Sequence, residues 1–125
     1  MSTPKHIQKL ENKRAVLIER LSQTQAMIKG SFSTSYRRCG QPNCRCAEGE
    51  GHLMNRISYT DQGKSRTKTV QHKDIEWAKQ MTQTYKRFRK DRQALRELEK
   101  KINTAIDQLE TKTITRTSAK RGYEL

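Results

Sequence analysis

Apolar residues near the N-terminus fall at Ile7, Leu10, Leu17, Leu21 and Ile28, with Arg14 and Thr24 at the intervening positions. Alternating steps of three and four put these residues on one stripe of a helix, which Val16 and Ile18 widen. The pattern predicts a helix over residues 5–29, with Pro4 near its start and Gly30 just past its end, where each is favoured. A longer periodic run, Met81, Tyr85, Phe88, Leu95, Leu98, Ile102, Ala105 and Leu109, predicts a second helix over residues 74–110. Asp74 can cap it, Trp77 lies in its first turn, Arg92 interrupts the seam, and Glu97 and Lys101 have the spacing of a favourable ion pair. At 1.5 Å per residue this helix would be roughly 55 Å long, more than its own domain can cover. It is expected to pair with the first helix as an antiparallel hairpin or coiled coil, leaving surplus length for a second chain.

Between the two helices the period changes. Three short stretches, 32–38, 53–60 and 64–70, alternate in the manner of strands, and Asp61-Gln62-Gly63 supplies turn chemistry between the last two. Gly30, Gly40, Pro42, Gly49, Gly51 and Gly63 all fall in or beside this block. The tail after Thr111 is polar, basic and unpatterned, and reads as flexible. The expected fold class is α+β: two long helices, paired as a hairpin, flanking a small zinc-stapled three-stranded β module. The segments are an N-terminal helix (1–30), the β module (31–73), the long helix (74–110) and a basic tail (111–125).

Composition narrows the function. Of 125 residues only 31% are apolar and 32% are charged, so a large globular core is excluded and an elongated helical shape fits. The formal net charge of +14 favours a polyanionic partner such as nucleic acid, though an acidic protein or a membrane surface would also attract it. No stretch approaches the roughly 18 continuous apolar residues of a membrane span, and MSTPKHIQKL lacks the apolar centre of a signal peptide. A cytoplasmic location is therefore expected, where thiols stay reduced and clustered cysteines read as metal ligands before disulfides.

The cysteines lie in YRRCGQPNCRCAEGEGH, a C-x4-C-x-C spacing closed by His52. Three thiolates and an imidazole make a tetrahedral structural zinc site, so Cys39, Cys44, Cys46 and His52 are the expected ligands. Gly40 and Pro42 permit a tight turn, Cys44 and Cys46 project to one side of an extended segment, and Gly49 and Gly51 permit the reversal toward His52. Arg37, Arg38 and Arg45 would help to hold thiolate charge. The fourth position is also open to His72 or a water, while His6 reads as a surface residue of the first helix. A module of this size, with few large apolar residues, needs a staple, and structural zinc supplies about 10–16 kcal/mol of apparent binding energy. Metal-free structural thiols and a Cys44–Cys46 redox pair stay open as other readings. The absence of C-x-x-C counts against the redox pair.

The run GSFSTSYRRCGQPNCRCAEGEGH, followed by ISYTDQGKSRTKTV and WAKQMTQTYKRFRK, resembles an uncharacterised family of small prokaryotic proteins, a domain of unknown function. Its signature is Y-R-R-C-G-x-P-x-C-x-C followed by a histidine, then a strand pair and a helix, and the resemblance spans residues 30–96. Members often occur among mobile-element genes, which implies a role connected with nucleic acid. Leu53-Met54-Asn55 stand here where the family commonly has Gly-Pro and aromatic residues.

Two functions compete. The first is a zinc-containing, non-catalytic accessory protein that binds DNA or RNA. Phosphate contacts would come from Arg37, Arg38, Arg45, Arg56, Lys64, Arg66 and Lys68 in the β module and from Lys86, Arg89 and Lys90 on the long helix. Lys64, Arg66 and Lys68 alternate and so share a strand face, and Tyr36 and Tyr59 are available to stack on bases. The bland counterpart of that alternation is an edge strand protected by charge. The second function is an assembly factor, its helices docked on a larger nucleic-acid-processing enzyme such as a transposase or nuclease, or on a second copy as a homodimer. Catalysis is not expected: no paired carboxylates, phosphate-cradling glycine loop or Ser/His/Asp grouping is present.

Overall fold

The computed structural model describes residues 3–37, 43, 49 and 51–124. In chain order they form α1 (Pro4–Ser22), β1 (Ser31–Arg37), β2 (His52–Asp61), β3 (Lys64–Thr69), a short 3-10 turn (His72–Asp74) and α2 (Ile75–Lys120). The fold is α+β, with two helices and one three-stranded antiparallel sheet of order β1-β2-β3. By compactness the described chain divides in two. One unit holds α1 with the later part of α2, from Arg89 on, and the other holds Gln25–Phe88 and with it the sheet.

In the first unit, the Thr3 hydroxyl accepts the amide hydrogen of His6 at 3.1 Å and Pro4 opens the helix, so two of the usual start signals act together. Helix α1 stops at Ser22, well before the expected residue 29. The hydroxyls of Ser22 and Thr24 donate to the carbonyls of Glu19 and Leu21, local bonds that compete with continued helix. Leu10, Leu98 and Ala105 form the core here, with Ile7, Leu17 and Ile102 packed against them. Arg20 also reaches Asp91 at 3.1 Å. Val16 and Ile18 remain exposed, so the apolar stripe is narrower than the sequence pattern implies.

The expected helical hairpin flanking the β module is not what forms. Helix α2 is shared: residues 75–88 belong to the sheet-bearing unit and residues 89–120 to the unit of α1. No Gly or Pro interrupts it, and its apolar positions divide accordingly, with Met81, Tyr85 and Phe88 in one unit and Leu95, Leu98, Ile102 and Ala105 in the other. The tail expected to be flexible from residue 111 is helical as far as Lys120. Hydroxyls of Thr113 and Thr117 bond back to the carbonyls four residues earlier and stay within the helix. The true stop is Gly122 at φ +75°, where the amides of Gly122 and Tyr123 bond the carbonyls of Ala119 and Ser118, a glycine-capped helix end.

In the sheet-bearing unit, the strands begin and end within one residue of the expected positions. Asp61 pairs with Lys64 across a two-residue turn, and both turn residues have positive φ, Gln62 at 50° and Gly63 at 79°. That geometry matches the twist of the flanking strands. Gly30 does not cap α1. It lies at φ +111° against β2, where a Cβ would stand 2.6 Å from the Ser58 carbonyl oxygen. Ala78 is fully buried, and the nearly buried Thr82 hydroxyl is satisfied by the Ala78 carbonyl at 2.8 Å. The Ile28 amide donates to the Met81 carbonyl and so ties the connection before β1 to α2.

Candidate nucleic-acid interface

Strand parity decides which cations can act together. The ladder pairs Phe32 with Ile57, Ile57 with Lys68, and Tyr59 with Arg66. One sheet face therefore carries Phe32, Thr34, Tyr36, Leu53, Asn55, Ile57, Tyr59, Asp61, Lys64, Arg66 and Lys68. The opposite face carries Arg37, His52, Met54 and Arg56 among serines and threonines contributed by all three strands.

Lys64, Arg66 and Lys68 thus do share a face, and all three are exposed. Asp61 pairs with Arg66 at 3.3 Å in a half-exposed contact and offsets part of that charge. Tyr36, 59% exposed, stands on the same face. Tyr59 is half-buried and is already covered by the Lys29 ammonium, 6.0 Å from its ring centre. Arg37 and Arg56 do not join this group. They lie on the other face, where the Arg56 guanidinium donates to the Ser35 hydroxyl at 2.9 Å. The described cations of the β module are therefore divided between two faces, because residues an odd number of steps apart along a strand project to opposite sides.

On α2, Lys86, Arg89 and Lys90 are all exposed. Lys86 belongs to the sheet-bearing unit, whereas Arg89 and Lys90 belong to the other. Lys86 lines a cleft with Lys79 and Arg87, two cations absent from the sequence-based set. Their signal was present in the spacing, since Lys79, Gln83 and Lys86 recur at helical intervals, as do Gln80, Thr84 and Arg87.

Cys39, Cys44, Cys46, Arg38 and Arg45 lie outside the described residues. Among the described residues no group of three or more His, Cys, Asp or Glu could hold a metal ion. His52 opens β2 and is exposed, opposite Arg37, the last residue of β1. That closing pair brings together the two ends of the segment that carries the cysteines. His72 sits in the 3-10 turn before α2, and His6 is exposed on α1. No helix among the described residues is long and apolar enough to cross a membrane.

Fold and site together define a strongly basic α+β protein whose small antiparallel sheet presents a row of cations on its last strand. The chain belongs to the family described as Domain of unknown function (DUF6788), whose model matches residues 7–80. That span begins in α1 and takes in the whole sheet and the start of α2. No curated protein and no solved structure matches the chain.

Proposed function

We propose that the protein is a non-catalytic, zinc-containing accessory protein that binds nucleic acid, DNA or RNA, in the cytoplasm, in association with a mobile element or a nucleic-acid-processing complex. The observation that carries this reading is the exposed row Lys64, Arg66 and Lys68 on one sheet face. Three cations at two-residue intervals follow a phosphate backbone, and Tyr36, exposed on the same face but on the far edge strand, is available to stack on a base further along. The sheet contributes no base-reading helix, so recognition rests on charge and shape.

Zinc enters through the donor set of Cys39, Cys44, Cys46 and His52, three soft sulfurs and one imidazole of the kind that closes a structural tetrahedron. The Arg37–His52 pair supports this assignment by holding His52 at the neck of the cysteine segment. The metal would fix that segment and supply no reactive step. Arg38 and Arg45, which flank the cysteines in sequence, would extend the basic surface.

A second reading, docking onto a larger enzyme or a second copy through coiled-coil pairing of the helices, is favoured by Val16, Ile106 and Ile114, which are large apolar side chains left exposed on α1 and α2. Purification from the native host, followed by assay of zinc and nucleic acid in the same sample, tests both. About one zinc per chain with retained, nuclease-sensitive polymer is the expected result. A nucleic-acid-free complex with another protein would favour the second reading, and a chain that keeps its fold without metal would remove zinc from the account.

A further inference from the structure

The sheet-bearing unit contains a cleft of about 850 Å³ between the start of β1 and the first turns of α2. Among the described residues its charged lining is Lys79, Lys86 and Arg87, with no carboxylate. Glu76 pairs with Lys79 at 3.7 Å but is itself largely exposed, so it offsets little. Gln80 and Gln83 add amide groups that can both donate and accept, and Phe32 forms part of the opposite wall. The Lys79 ammonium stands 5.6 Å from the centre of that ring.

We infer that this cleft holds a single-stranded segment of nucleic acid, with phosphates against Lys79, Lys86 and Arg87 and base edges against Gln80 and Gln83. The inference rests on the proposed function and narrows it. In a paired duplex the Watson–Crick base edges are engaged with one another, so a duplex brings this cleft its phosphates and not the free edges that Gln80 and Gln83 can bond. An unpaired strand can enter, and its base edges, free of Watson–Crick partners, have hydrogen bonds to offer the glutamines. On α2, Lys79 and Lys86 are two turns apart, about 10 Å along the axis, so the cations track an extended backbone instead of converging on one phosphate.

The test uses the full chain as purified and fluorescence anisotropy with one labelled mixed-sequence oligonucleotide, single-stranded and as a duplex. The wild type is compared with Lys79→Ala/Arg87→Ala. Both side chains are exposed, and Lys79→Gln/Arg87→Gln serves as a second variant if circular dichroism shows lost helix. The expected result is tighter binding of the single strand by the wild type. The double variant is expected to lower the salt slope for that strand by about 1.4, at about 0.7 per phosphate contact, and to leave duplex affinity nearly unchanged. Equal loss on both forms, or no loss on the single strand, would overturn the inference while leaving the proposed function standing. Wild-type protein that binds neither form would overturn both.

Discussion

Replacing Gly30 by alanine puts a methyl group where the fold has no room for one. The backbone there has φ +111°, and the added Cβ would meet the Ser58 carbonyl oxygen at 2.6 Å, Ile57 Cγ2 at 2.9 Å and Tyr59 Cβ at 3.2 Å. Ser58 faces Ser31 in the β1–β2 ladder, one residue along the chain from Gly30, so its carbonyl cannot withdraw without disturbing the pairing. The φ value alone costs about 1–3 kcal/mol for a residue with a side chain. Forcing a methyl into an occupied space adds about 1–3 kcal/mol, for a total of about 2–6 kcal/mol. Gly63→Ala separates the two contributions, because Gly63 has φ +79° with no atom within 4 Å of the added Cβ. That substitution should cost only the backbone part, about 1–2 kcal/mol. Urea unfolding followed by the fluorescence of Trp77, the single tryptophan and a member of the sheet-bearing unit, reads the relevant region directly. Gly30→Ala proving no more destabilising than Gly63→Ala would refute the close approach as the reason for glycine at this position.

Other substitutions probe the remaining joints of the fold. Gln62 holds φ 50° in the β2–β3 turn, and Gln62→Asn should stabilise the same unfolding transition by about 0.5 kcal/mol, since asparagine tolerates that region better. Ala78 is completely buried, so Ala78→Leu should destabilise by about 1–3 kcal/mol through overpacking, read as a lower urea midpoint. A double-mutant cycle on Arg20→Met and Asp91→Asn, measured by thermal unfolding, should give a coupling below about 1 kcal/mol, because the Arg20 side chain is more than half exposed.

Legibility of the fold followed the strength of local patterns. The strands could be placed because alternation over 53–60 and 64–70 meets turn residues at Gln62-Gly63, and both signals demand the same hairpin. The two helix ends could not. Residues 111–120 are rich in threonine and poor in apolar side chains, yet nothing in them breaks a helix already running, and the stop comes only where Gly122 adopts positive φ. At α1 the apolar pattern extended through Ile28, but the hydroxyls of Ser22 and Thr24 ended the helix first. The cations were legible one by one and not as a surface. Register, a property of paired strands, separates Arg37 and Arg56 from Lys64, Arg66 and Lys68. The cleft around Lys79 and Arg87 exists only because β1 starts beside α2 in the folded unit.

Binding of a nucleic-acid phosphate backbone by the β3 cations would release one set of counterions per contact, which a salt series reads out. Affinity of the full chain for a labelled oligonucleotide is measured across a salt series, for the wild type and for Lys64→Ala/Arg66→Ala/Lys68→Ala. All three residues are exposed, so the triple variant should retain the wild-type circular dichroism spectrum. The expected result is a linear fall of log affinity with log salt, and a slope shallower by about 2–3 in the triple variant, at about 0.7–0.9 per lost phosphate contact. Affinity independent of salt, or a slope unchanged by removing the three cations, would contradict it.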